Sequence, residues 1–197
     1  MDTTPSRHLD LGCGTSPRNP YGRDELYGID IRAGLCVEGV VEIAAANLSL
    51  APIPFPDSHF DSVSAYDFFE HVPRVSLDHA TGTSRLPFVE LMNEIWRVLK
   101  PGGKLYAVTP AYPHRLAFSD PTHVNYIDDR TLNYFCGDQP MGAMYGFKHR
   151  FTVKRQKRLH PRGDLHPELP SAKLRIKSIV DGIMNRRSHL AWELLKG

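Results

Sequence analysis

The chain has 197 residues, 41% apolar and 23% charged, enough for one domain with a substantial core and too few for two full-sized catalytic domains. These fractions exclude a disordered or fibrous chain, and no apolar run is long enough to form a membrane-spanning helix. Three scattered cysteines, Cys13, Cys36 and Cys136, fit neither a disulfide framework nor a zinc ribbon, and residues 1–7 lack a basic-then-apolar leader, so a cytoplasmic protein is expected.

The formal net charge of +2 hides an asymmetry. Residues 1–135 hold 11 basic against 17 acidic residues, a net −6, and residues 136–197 hold 13 against 5, a net +8. Such a basic segment suits phosphates, acidic glycans or a solvated face.

Residues 7–11 form a short β-type run that ends at Gly12-Cys13-Gly14, and residues 25–31 repeat the arrangement with Asp30 near the end. Residues 37–45 are a third apolar run. Pro52, Pro54 and Pro56 exclude helix or inner strand and mark an exposed connection before a fourth strand at 60–65. Residues 87–99 are the clearest helix: Phe88, Leu91, Met92, Ile95, Val98 and Leu99 recur at three- and four-residue spacing, Ser84 is the expected N-cap, and Pro101-Gly102-Gly103 the expected stop.

A fifth strand is expected at 104–109 and a short helix at 131–136. An exposed antiparallel strand follows over 147–159, with a loop over 160–170, an ambiguous element at 174–183 and a final strand at 189–195. Strands alternating with crossovers predict a Rossmann-like α/β domain. Its twisted, mostly parallel sheet has about seven strands, an antiparallel C-terminal edge and helices on both faces. Residues 1–135 would be the ligand-binding core, and the basic segment would complete the same domain.

Ligands in such sheets sit at the carboxyl ends of the strands. A glycine turn there admits a ligand close to the backbone, and a carboxylate at the next strand tip accepts hydrogen bonds from adjacent ribose hydroxyls. Dinucleotide-binding turns usually add a third glycine, where this chain has Pro17.

Four motifs in order resemble class I S-adenosylmethionine-dependent methyltransferases: His8-Leu9-Asp10-Leu11-Gly12-Cys13-Gly14, Tyr27-Gly28-Ile29-Asp30-Ile31, Phe55-Pro56-Asp57-Ser58-His59-Phe60-Asp61 followed by Phe69-Glu70-His71-Val72, and Arg97-Val98-Leu99-Lys100-Pro101-Gly102-Gly103. The resemblance covers roughly residues 7–127 and implies S-adenosyl-L-methionine as cofactor. Asp10, Gly12, Cys13 and Gly14 would line the methionine end, Asp30 and Ile31 the ribose side, and Asn47-Leu48 would stand where the family usually has an acid for the adenine amino group. Tyr66 and Asp67 would border the sulfonium.

With a hydroxyl or ammonium acceptor a base is needed, and His123, Asp67 and His71 are the leading candidates, with His114 and Asp120 behind them. Cys13, between two glycines, reads as a small filler. No metal-ligand spacing stands out.

One departure from the family follows. Only residues 15–26 separate the glycine turn from the second strand, and Pro17, Pro20 and Gly22 leave room for a loop or a single turn instead of the usual first helix. A lid is expected from residues 72–86 or 110–130. The expected acceptor is a small molecule, sugar or lipid-linked glycan. A nucleic acid tracked by the basic segment and a non-catalytic cofactor-binding partner subunit are the alternatives, and sequence leaves the oligomeric state open.

Overall fold

A computed structural model describes residues 4–160, 180 and 187–197. Apart from His160 and Val180, the loop expected at 160–170 and the element expected at 174–183 lie outside the described residues. In chain order the elements are β1 (Arg7–Leu11), β2 (Glu25–Asp30), β3 (Glu42–Ala45), β4 (Phe60–Tyr66), β5 (Ser76–Asp78), β6 (Thr83–Arg85), α1 (Pro87–Val98), β7 (Leu99–Pro110), α2 (Leu116–Ser119), β8 (Phe151–Leu159) and β9 (His189–Lys196), with 3-10 turns at Phe69–His71, Thr131–Tyr134 and Met141–Tyr145.

The main sheet has seven strands in the order β3-β2-β1-β4-β7-β9-β8. The first five are parallel, β9 runs antiparallel to β7, and β8 antiparallel to β9. The mostly parallel sheet with an antiparallel C-terminal edge is therefore as the sequence indicates. β5 and β6 form a separate hairpin.

Side chains alternate between faces along each strand. Leu9, Leu11, Val63, Ala65, Leu105, Ala107, Leu190, Trp192 and Leu194 join one core, against which α1 sets Phe88, Leu91, Met92, Ile95 and Val98. The opposite face is different. Tyr66, Tyr106, Val108, Leu159 and Ala191 form a small second cluster, and next to it β1 and β4 carry buried polar residues.

His8 bridges Ser62 and Ser64, each at 2.8 Å, and Ser64 Oγ donates to Asp10 Oδ1 at 2.5 Å. That last bond makes Ser64 the acceptor from His8 Nε2–H, so Nδ1 accepts from Ser62. Burial holds His8 neutral, its pKa lowered to about 3. The segment between β1 and β2 closes over this network without a helix, as its prolines imply. Arg18 N–H donates to Asp10 Oδ2 at 2.8 Å, and the Arg18 guanidinium lies 4.3 Å above the Tyr66 ring. Tyr21 meets Tyr106 edge-on and donates to Glu193. A short loop cannot bury a wide apolar stripe, which fits the Ser, His and Asp side chains beneath it. Helices on both faces were expected; among the described residues α1 is the only helix of more than five residues, and it covers the other face.

Three local expectations need correction. Ser84 lies in β6 and caps nothing: α1 begins at Pro87, whose preset φ and missing N–H suit a first helical position, and Phe88 N–H finds Pro73 O at 3.2 Å. Pro101-Gly102-Gly103 does not separate helix from strand, because β7 already starts at Leu99. Its register against β4 jumps from Phe60–Leu99 to Ser62–Lys104, and Gly102, at φ +74°, turns the extra residues out as a bulge. The third apolar run yields a strand only over Glu42–Ala45.

Candidate functional site

The carboxyl ends of β1 and β2 are tied together. Gly12 and Gly14 stand at φ +65° and +58°, the left-handed region in which a side chain is strained. Cys13 N–H donates to Ile29 O at 3.0 Å, and Gly14 N–H donates to Asp30 Oδ2 at 2.9 Å, so glycine turn and carboxylate touch. The Cys13 sulfur rests 2.6 Å from where a Cβ on Gly28 would sit, and burial pushes its thiol up to about 11. It is a filler against Gly28, not a nucleophile.

Asp10 lies beneath the turn with its two partners already named, and burial raises its pKa to about 6 against the pull of those bonds. Asp30 Oδ1 accepts from Arg32 N–H and Nε–H at 3.0 and 2.8 Å, and Arg32 Nη2 reaches Oδ2 at 3.3 Å. The guanidinium holds the Asp30 carboxyl below its usual range. With Gly14 these bonds fill the carboxylate's four acceptor positions, and the Arg32 side chain is exposed. Ile31, at 68% exposure, offers an uncovered apolar face beside this carboxylate.

Ala46 N–H donates to Asp30 O, which brings Asn47 and buried Leu48 beside the tip of β2; Asn47 Oδ1 accepts Ser49 N–H at 3.1 Å and keeps one lone pair. These residues fit an adenosyl group: backbone without Cβ at the turn, a carboxylate with an exposed apolar neighbour at the ribose position, and Asn47 with Leu48 for the base.

A second group lies at the ends of β4 and β7. Tyr66 points away from it, into the cluster under Arg18. Asp67, at φ +49°, turns the chain, and its Oδ1 accepts from His189 Nε2 at 3.0 Å. His189 Nδ1 in turn accepts from Ser188 Oγ at 2.8 Å. Phe68 lays its ring on Gly12, its Cδ2 2.6 Å from the site of a Cβ there. This contact joins the glycine turn to the segment after β4.

The 3-10 turn then presents Glu70 and His71. Glu70 is 1% exposed. Its Oε2 accepts from Thr109 at 2.8 Å, Oε1 has no partner, and burial raises its pKa to about 8. His71 Nδ1 contacts Thr122 Oγ1 at 3.0 Å, and Thr122 donates to Asp120 at 2.6 Å. His123 Nδ1 contacts Ala117 O at 3.3 Å, and its Nε2 faces Glu70 Oε1 at 4.0 Å. His114 accepts Leu116 N–H through Nδ1. Of the sequence candidates, His71, His123 and Asp120 are thus in one cluster, and Asp67 is bonded to His189.

Glu70 and His189 escaped the sequence reading. His189 had a usable signal: a histidine opening a strand antiparallel to β7 must lie at the ligand-binding end of the sheet, opposite Pro110. Beyond this group a hollow of about 590 Å³ opens below the start of α1, lined among others by Arg74, Phe88, Tyr112, Asn125, Tyr126 and Tyr134. Asn125 Nδ2 donates to Phe69 O, and Arg74 donates to Asn125 Oδ1 and Tyr126 O. The segment 110–130 therefore forms part of the wall between this hollow and the 3-10 turn.

No helix among the described residues is long and apolar enough to cross a membrane. Residues 9–107 match a family model described as a methyltransferase domain. A demethylmenaquinone methyltransferase of Geobacillus sp. (strain WCH70) is 29% identical over 126 residues, covering 56% of this chain and 47% of that protein; the chain thus spans about half the length of the curated relatives it matches.

Among solved structures, an S-adenosylmethionine-dependent methyltransferase from Mesorhizobium loti aligns with TM-score 0.58 at 13% identity, over 96% of this chain and 90% of that one. One from Methanosarcina mazei aligns with TM-score 0.56 at 18% identity, over 96% and 92%. At such identities the likeness is one of fold. Sheet order, glycine turn, carboxylate and matched segment agree, and the chain belongs to the methyltransferase-domain family.

Proposed function

We propose that this chain methylates a small organic acceptor with an apolar body, taken into the hollow below the start of α1 and presented to the cofactor at the tips of β1, β2 and β4. The observation that carries the reading is the contact between the two halves of the site: Phe68 lies on Gly12, and the next residues carry Glu70 and His71. A small acceptor also accords with the relatives named for a demethylmenaquinone, and the aromatic wall of the hollow suits such a molecule.

S-adenosylmethionine supplies the methyl group on a positively charged sulfur, a leaving group that needs no protonation. The protein's task is alignment and water exclusion. Asp10, Gly12, Cys13 and Gly14 hold the methionine end, Asp30 and Ile31 the ribose side, and Asn47 with Leu48 the adenine. Arg32 must swing off Asp30 for the ribose to bind. On the acceptor side His123 and His71 orient the reacting group. Asp67 fixes His189 with its proton on Nε2.

The basic strand β8 supports the nucleic-acid alternative less, because Arg158 is paired with Asp129 and Arg155 donates to Tyr106. The test is turnover with the acceptor found by screening small-molecule extract fractions. His123→Ala is expected to lower kcat about 100-fold and to leave S-adenosylhomocysteine affinity within twofold. Unchanged kcat removes His123 from the acceptor site.

A further inference from the structure

From the same cluster we infer a divalent metal site formed by Glu70, His71 and His123, with an open position directed to the acceptor. One ligand atom from each of the three lies within 4.8 Å of the others. The hydrogen bonds fix what each presents. Thr122 Oγ1 spends its proton on Asp120, so it accepts from His71 Nδ1–H; His123 Nδ1 can only donate to the Ala117 carbonyl. Both rings therefore hold their proton on Nδ1 and carry a bare lone pair on Nε2.

Glu70 Oε1, 4.0 Å from His123 Nε2, is buried and without a partner. A proton or a cation is therefore needed beside it. Carbonyl and carboxylate partners behind metal-bound imidazoles are the usual supporting layer. Two histidines and one glutamate suit a zinc-class ion with a position left open. Bonds of about 2.1 Å bring tetrahedral ligands to about 3.4 Å apart, so the side chains close by roughly 1 Å on binding.

The acceptor's role in this site rests on the function proposed above; the metal site does not. An acceptor hydroxyl in the open position loses its proton to solvent water. Its oxygen lone pair then forms the new C–O bond while the methyl–sulfur bond breaks and leaves its electron pair on sulfur. The metal stays divalent throughout, and no other co-reactant is required.

The full chain, carrying Cys36→Ser to remove an exposed thiol, is stripped with chelator and titrated with Zn²⁺ and Co²⁺. Bound metal is counted after dialysis and Co²⁺ absorbance is recorded. One ion per chain is expected, weakened at least about tenfold by Glu70→Gln and by His123→Ala, with S-adenosylhomocysteine affinity retained in all variants. Glu70→Gln keeps the shape and the bond from Thr109, which guards against a folding artefact. Absence of bound metal, or equal affinity in wild type and both variants, overturns the site. Either result leaves cofactor binding, and hence the methyltransferase reading, standing.

Discussion

Asp30→Ala is expected to weaken S-adenosylhomocysteine binding by about 100-fold or more, measured by isothermal titration calorimetry. Two ribose hydroxyls donating to an ionised carboxylate contribute about 1.5–3 kcal/mol each, and every 1.4 kcal/mol is a decade in affinity. The same substitution frees the Gly14 N–H that Asp30 now holds, so Asp30→Asn, which keeps an acceptor for that N–H, should fall between the variant and wild type. Arg32→Ala should act in the opposite direction. Its guanidinium occupies the Asp30 oxygens that the ribose needs, and it is an exposed partner whose ion pair adds little. Affinity in Arg32→Ala is expected to equal or exceed that of wild type. A loss under threefold in Asp30→Ala would show that the ribose is held elsewhere.

Gly12→Ala carries the second large effect, on stability. The residue adopts φ +65°, and a Cβ there would lie 2.6 Å from Phe68 Cδ2 and 3.1 Å from its Cγ. Left-handed strain costs about 1 kcal/mol, and overpacking adds about 1–3 kcal/mol, so a fall in Tm of roughly 5–10 °C is expected for a chain of this size. The clash depends on Phe68 and the strain does not. In a Phe68→Ala background Gly12→Ala should therefore cost only about 1 kcal/mol, leaving a favourable coupling of at least about 1 kcal/mol in a double-mutant cycle. Strict additivity would mean that Phe68 does not lie on the turn in solution.

How much of this was legible in the sequence depends on whether the governing contact is local. β1 and the end of β2 are bounded by the glycine turn and Asp30, and α1 by a strong apolar period, and these came out within one or two residues. The failures have nonlocal causes. Ser84 looked like a cap because its chemistry suits one, but pairing with Leu77 in the β5–β6 hairpin claims it. Tyr66 was assigned to the cofactor by its position at the end of β4. Alternation along that strand turns its ring to the opposite face, under Arg18.

The site itself divides in the same way. The cradle belongs to two strand tips sixteen residues apart, Gly14 and Asp30, and the motif spacing names both. The acceptor side is assembled across 52 residues between His71 and Thr122–His123, and across 122 between Asp67 and His189. Nothing in the spacing of Glu70 and His71 signals that His123 returns to them; that follows only from Val124 and Asn125 donating to Glu70 O.

The most direct test of the cradle is thermal unfolding of the wild-type chain with S-adenosylhomocysteine or with reduced nicotinamide dinucleotide. At a hundred times its dissociation constant, S-adenosylhomocysteine should stabilise the fold by about 2.7 kcal/mol, a rise of roughly 5–10 °C, with no rise from the dinucleotide. A flat response to S-adenosylhomocysteine, or a rise with the dinucleotide alone, would contradict it.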